Sequence, residues 1–339
     1  MFAAPWKYER ARGRPPGYSK RSRAGGRRRS LEIELLEERL VLSTVVWDGE
    51  AGDFSWHTPL NWVGDQLPVA GDDVVINSAT EFVRHSAGTT NINSLTTNQF
   101  FILAGGTLNI ADTAEFSALV EHTGGELTGA GTATFSSTYN WLGGTQSGSG
   151  TSIFDGQVTL IAPAGIALTR QSVTINSQFN WSAGDITVDG NEIRIGPSGF
   201  LDVDTDDKMV STTQFATVIN DGTILHRSLT TDAFTEPDLG YVTNNAGGLI
   251  RAEGRMSFLG LDSEGEVRLG TPDGQTFGTV TLLPDPTMPG TFPRFLNILD
   301  GGSLTGNGTL DARIENQGLL SPGLSTGELI ARSGYVHQA

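Results

Sequence analysis

The stretch "LDVDTDDKM" sets Asp202, Asp204 and Asp206 at alternating positions, the spacing at which carboxylate oxygens line a calcium loop. The EF-hand pattern is not completed, because its sixth position is Asp207 instead of glycine and its twelfth is Thr213 instead of glutamate. On a strand, alternating aspartates share one face, and the plainest place for that face is solvent. Calcium on these three residues is the one cofactor the sequence raises. Arg194 stands near Asp202 and Asp204 in the chain, which would suit a lyase-like pair of carboxylates with a neighbouring base, but sequence proximity alone joins them.

Aromatic residues offer a second chemistry. Flat rings suit the apolar faces of pyranoses, so exposed Trp56, Trp141 and Trp181 would make sugar platforms and point to an extracellular polysaccharide as partner. The competing reading buries them. Trp47, Trp56 and Trp62 crowd into a segment punctuated by Gly, Asp, Asn and Pro, as expected of a cap over the open end of a stacked sheet. The five histidines, His57, His85, His122, His226 and His337, show no HExxH or paired spacing. His57, beside Trp56, reads as a surface residue. No Gly-x-Ser-x-Gly elbow and no strand-to-helix phosphate loop occurs. With no cysteine, thiolate chemistry and disulfides are excluded. No catalytic residue is expected, and the chain reads as a non-enzyme.

The elements that must carry these residues follow from the repeats. Gly105-Gly106, Gly124-Gly125 and Gly143-Gly144 recur every 19 residues, and so do Phe116, Phe135 and Phe154. Two independent markers with one period near 20 define a solenoid coil. In "ELTGAGTATF" Ala133 and Phe135 fall on one side and Thr132 and Thr134 on the other, the period of a half-buried strand. Stacking such coils about 4.8 Å apart places Phe116, Phe135 and Phe154 in an internal ladder. The predicted fold is all-β: a right-handed parallel β-helix with rungs of about 19–22 residues, on the order of twelve of them. Trp181 lies 40 residues after Trp141, two rungs on, and Gly301 to Thr309 repeats the wording of Gly124 to Thr132. "DDVVI" reads as the first strand, with Val74 and Ile76 on one side. "TTDAFTEPDLG", "GTPDGQTFG" and "LLPDPTMPGTFPR" read as loops projecting from the stack.

Charge divides the chain. Residues 1–30 hold ten Lys/Arg against Glu9, a net of +9, so the remainder carries −25 of the overall −16. An acidic body of that size disfavours nucleic acid and anionic membranes. The basic head, rich in Arg, Gly, Pro and Ser, is expected to be disordered, followed by one short amphipathic helix in "SLEIELLEERLVLS". The seven-residue apolar run at 40–46 is too short to cross a bilayer, so no transmembrane segment is expected. Three parts result: a basic targeting segment with its helix at 1–45, a Trp-rich cap at 46–77, and the β-helix at 78–339.

"RRRSLEIELLEERLVLS" resembles the N-terminal LEPR-type motif of large exported proteins from planctomycete-like bacteria, with Leu36, Glu37, Arg39, Leu42 and Ser43 matching and Glu38 standing where that motif has proline. The resemblance implies export, with processing near or just after Ser43. The Trp-rich segment and the phrase from Asn316 to Leu329 resemble, respectively, the opening of autotransporter-passenger-like β-helices and the autotransporter-associated β-strand repeat. In that family another strand usually follows, so a truncated member is one expectation. Together these imply a secreted or cell-surface structural or adhesive protein, with other surface proteins or polysaccharide as partners; a polysaccharide-binding or polysaccharide-degrading β-helix is the alternative.

Overall fold

The computed structural model describes residues 43–77, 81–227, 237–273, 276–283, 295–323 and 327–337. The basic head and the expected helix at 30–43 lie outside them, apart from Ser43, and so do most of the first and third projecting loops (228–236 and 284–294) and residues 274–275 of the second. The described chain forms an all-β parallel solenoid of about eleven turns, close to the expected twelve.

Each turn visits three faces. The first turn shows the order: β3 (Val83–His85), β4 (Thr89–Ile92) and β5 (Ser94–Thr97) begin or join the second, third and long faces in succession. Among the described residues the long face has 14 strands, the second face 12, and the third face a 7-stranded and a 4-stranded sheet. Strands of one face pair in parallel with their copies one turn away, as in Phe135 with Phe116 below and Phe154 above. Turn length is not constant. Ala133 pairs with Ser152, Ser152 with Val173, and Ile193 with Val218, so a turn lengthens from 19 residues to 25 as the corners admit more chain.

Alternation sets what is buried. Strand after strand reads buried at every second residue, and the inward side chains form one hydrophobic cluster from Trp47 to Ile314. The phenylalanine ladder is present: Phe116 and Phe135 stack at 4.9 Å, and Phe135 and Phe154 at 5.1 Å, with planes within 18°.

The long face starts earlier than "DDVVI". β1 (Thr44–Val46) pairs in parallel with β2 (Asp73–Ile76), so three residues assigned to the apolar run ahead of the cap are the first described strand. Val-Val alternation suits a sheet edge as well as an export signal, and hydropathy alone does not separate them.

Glycine is required where corners bring two turns into contact. Gly129 sits at φ +142°, and a Cβ there would lie 1.9 Å from the Ile110 carbonyl oxygen of the turn below. Gly129→Ala is expected to cost about 2–3 kcal/mol, read as a lowered melting temperature, because both the φ and the contact oppose a side chain.

Candidate functional site

The three proposed sugar platforms are inside the protein. Trp56 and Trp141 are 1 % exposed and Trp181 0 %, so no ring face is available to a pyranose, and the stacking assignment is corrected. Trp141 and Trp181 flank Leu160 in one inward ladder of the second face, and Trp181 Nε1 donates to the Gly184 carbonyl at 2.8 Å. Trp56 belongs to the cap. Its ring meets Trp62 edge-on at 4.8 Å, Trp62 meets Trp47 at 5.0 Å, and Trp62 Nε1 donates to the Trp56 carbonyl at 2.8 Å.

The aspartates do not converge either. Among the described residues no group of three or more His, Asp or Glu could hold a metal ion. Asp202 lies on the strand Phe200–Val203 and accepts from Arg227 Nη1 at both carboxylate oxygens, at 2.9 and 3.0 Å. Arg227 also faces Glu253 at 3.7 Å. A carboxylate so engaged is a poor calcium ligand. The field of Asp202, Asp204 and Asp206 instead acts on buried His226, partly opposing the burial that lowers its pKa. Arg194 joins Asp221 at 2.5 Å on another face, so the lyase-like grouping is not assembled. The Arg227 side chain is 47 % exposed but Asp202 only 14 %, so Arg227→Ala, which leaves that carboxylate without its cation, is expected to cost about 1 kcal/mol in urea unfolding.

Two features escaped the sequence. The first is a polar chain in the interior. Gln146 Nε2 donates to Tyr139 Oη at 2.8 Å, which leaves the hydroxyl proton for His122 Nδ1, also at 2.8 Å. His122 therefore carries its own proton on Nε2, towards the Gly125 carbonyl at 3.4 Å. Ser152 Oγ donates to Gln146 Oε1 (2.8 Å) and Gln171 Nε2 to Ser152 Oγ (2.6 Å), carrying the chain into the next turn. Burial pushes the His122 pKa down to about 4 and raises that of Tyr139. His85 is likewise pushed to about 4 by burial; it contacts Thr90 Oγ1 at 3.0 Å and the Gly105 carbonyl at 2.9 Å.

The second is a cleft of about 290 Å³ between the cap and the first turn, bordered by Trp56, His57, residues 67–70 and residues 88–91. His57 is no free surface ligand: its Nε2 accepts the backbone N–H groups of Ser86 (3.3 Å) and Ala87 (3.2 Å), and burial lowers its pKa. Leu67 and Val69 stand exposed on one lip, opposite the polar Thr89 and Asn91. The lining of this cleft offers hydrogen-bonding groups and apolar surface, with no carboxylate or cysteine on its border.

Among the described residues no helix is long and apolar enough to cross a membrane. No protein-family profile, no curated protein and no solved structure matches this sequence.

Proposed function

We propose that the chain is a non-enzymatic, exported or cell-surface solenoid with a structural or adhesive role, whose acidic stack holds loops and a capped end in fixed positions. The observation that carries this reading is the single hydrophobic cluster running from Trp47 to Ile314 through successive parallel turns, sheathed in short polar contacts such as Arg227–Asp202 and Arg194–Asp221. A polysaccharide-stacking role loses its support with the burial of Trp56, Trp141 and Trp181.

Processing near Ser43 fits the same reading. A cut after Ser43 leaves β1 whole and removes two contacts at the edge of the fold, the Asp73 N–H to Ser43 carbonyl bond (2.9 Å) and the Ser43 hydroxyl to Asp72. Both are only part-buried, so the loss is small.

Lys208 is the sole lysine beyond residue 20, and it is exposed. Intact cells treated with a membrane-impermeant amine reagent are expected to yield protein labelled at Lys208, on the cells or in the medium. Labelling that requires lysis would overturn a surface or secreted location.

A further inference from the structure

The cleft between cap and first turn has a property that the proposed surface role does not use: it exposes a strand edge with which no other strand pairs among the described residues. The first strands of the other two faces are covered. β1 is closed by the Trp47–Trp62 bridge and the Val63 N–H to Val46 carbonyl bond at 2.9 Å. β3 is closed by the Phe54–Trp56 segment, through Arg84 N–H to Phe54 carbonyl and Trp56 N–H to Arg84 carbonyl bonds, both 2.9 Å. β4 ends its sheet with no strand beyond it among the described residues.

The direction of its free groups follows from the bonds it does make. Thr107 N–H reaches the Gly88 carbonyl (2.8 Å) and Ala111 N–H the Ile92 carbonyl (3.1 Å), so Gly88, Thr90 and Ile92 point to the turn above. In a parallel ladder the intervening residues point the other way. The N–H and C=O of Thr89 and of Asn91 therefore face the cleft, roughly 6.6 Å apart at two residues per pleat.

Residues 67–70 occupy the position where the turn below would pair with this edge, and they stand off from it. The two layers rejoin only at Asn93, whose N–H reaches the Asp72 carbonyl at 2.8 Å. Pro68 has no N–H to give to such a ladder. What remains is a slot with a row of backbone donors and acceptors on one wall and Leu67 and Val69 on the other. Residues 44–77 contribute Asp48, Glu50, Asp53, Asp65, Asp72 and Asp73 and no Lys or Arg.

We propose that this slot is a docking groove for an extended peptide segment of a partner protein, which adds a parallel strand to the β4 edge. Its backbone meets Thr89 and Asn91, small β-branched side chains lie against Leu67 and Val69, and flanking Lys or Arg residues answer the acidic cap. Strand addition of this kind takes affinity from main-chain bonds and specificity from alternate side chains.

The test uses the full chain and an N-acetylated, C-amidated synthetic peptide, Lys-Thr-Val-Thr-Val-Lys, titrated by calorimetry at low salt. Binding is expected, and N-methylation of the two valine amides is expected to weaken it at least tenfold. Asn91→Pro is expected to weaken it similarly, because it removes an N–H that faces the slot and none that pairs with the turn above. Asn91→Ala keeps the backbone and is expected to bind within twofold of the parent. Should the proline variant fail to fold, Val69→Arg serves in its place by blocking the lip and repelling the lysines, with the same tenfold loss expected. Equal binding of the N-methylated peptide, or none up to about 5 mM, overturns the proposal. Self-association of the protein that the peptide does not reverse also overturns it, and assigns the edge to a second copy.

Discussion

Between pH 7 and pH 4 the solenoid is expected to lose several kcal/mol of stability, with His122 and His85 as principal sources. Both rings are fully buried and both have pKa values near 4 in the folded chain, against the ordinary 6.5. Because the folded value is the lower one, the unfolded chain binds more protons between these limits. Their contribution is complete above pH 6.5, falls as pH drops through the interval, and stays flat below about 4. A displacement of about 2.5 pH units corresponds to roughly 3 kcal/mol for each ring. The physical event at His122 is the arrival of a proton on Nδ1, which must displace the Tyr139 hydroxyl proton it accepts between two buried side chains. Urea unfolding at pH 7.5, 5.5 and 4.5 measures the slope. His122→Leu is expected to remove the His122 share of it, leaving those of His85 and of His226, whose pKa burial also lowers, while losing some stability at pH 7.5. Asp53 and Asp73, whose pKa values are lowered first by the Thr58 and Asn93 side chains respectively, lose their contributions only at more acid pH, so their window is separate. A stability unchanged from pH 7.5 to 4.5 would show that these rings are hydrated.

Phe135→Ala is expected to cost about 4 kcal/mol. The ring is 1 % exposed and lies between Phe116 and Phe154, with Tyr139 edge-on at 4.6 Å. Removing it opens a void that its neighbours cannot close without shifting the rungs, because each is fixed by backbone pairing to the turns on either side. The weakened site is internal, so thermal unfolding is expected to move to lower temperature and to broaden as the turns on either side of the gap lose their coupling. Phe277→Ala, at a ring 62 % exposed, is the control and is expected to change stability by less than about 0.5 kcal/mol. Equal effects at the two positions would mean that the ladder is not the packing unit.

The 19-residue spacing of Phe116, Phe135 and Phe154 was legible because those turns have equal length, so identical residues fall in register. Past Ser152 the corners lengthen, and the register is set by pairing that no fixed period reports. The phrase shared by Gly124–Thr132 and Gly301–Thr309 illustrates the limit. In the first copy it joins the third face to the long face, and in the second it joins the second face to the third. It encodes a corner, with Gly129 and Gly306 both at positive φ, and not a place in the turn. Tryptophan is ambiguous for a related reason: a ring in phase with Leu160 is buried, and phase is known only once the strands are assigned.

Polar residues at inward positions were the hardest to read. His85, His122, Gln146, Asn220 and Asn244 are fully buried, while simple alternation assigns polar residues to the outside. Asn220 Nδ2 donates to Asn244 Oδ1 at 2.7 Å across a turn of 24 residues, and Asn244 Nδ2 passes on to Ser263 Oγ at 2.9 Å, a chain visible only in register. The partner of Asp202, Arg227, is 25 residues away for the same reason. The cleft depends on residues 67–70 standing away from β4, a departure for which Pro68 was the one available signal.

A location outside the cytosol is the central property proposed for this solenoid. The direct measurement is the intact mass and N-terminal sequence of the protein recovered from its own cells after separation into cytosol, envelope and medium. A chain beginning at or within a few residues of Thr44, in the envelope or the medium, is the predicted result. A chain that retains the ten basic residues of its head and stays in the cytosol would contradict it.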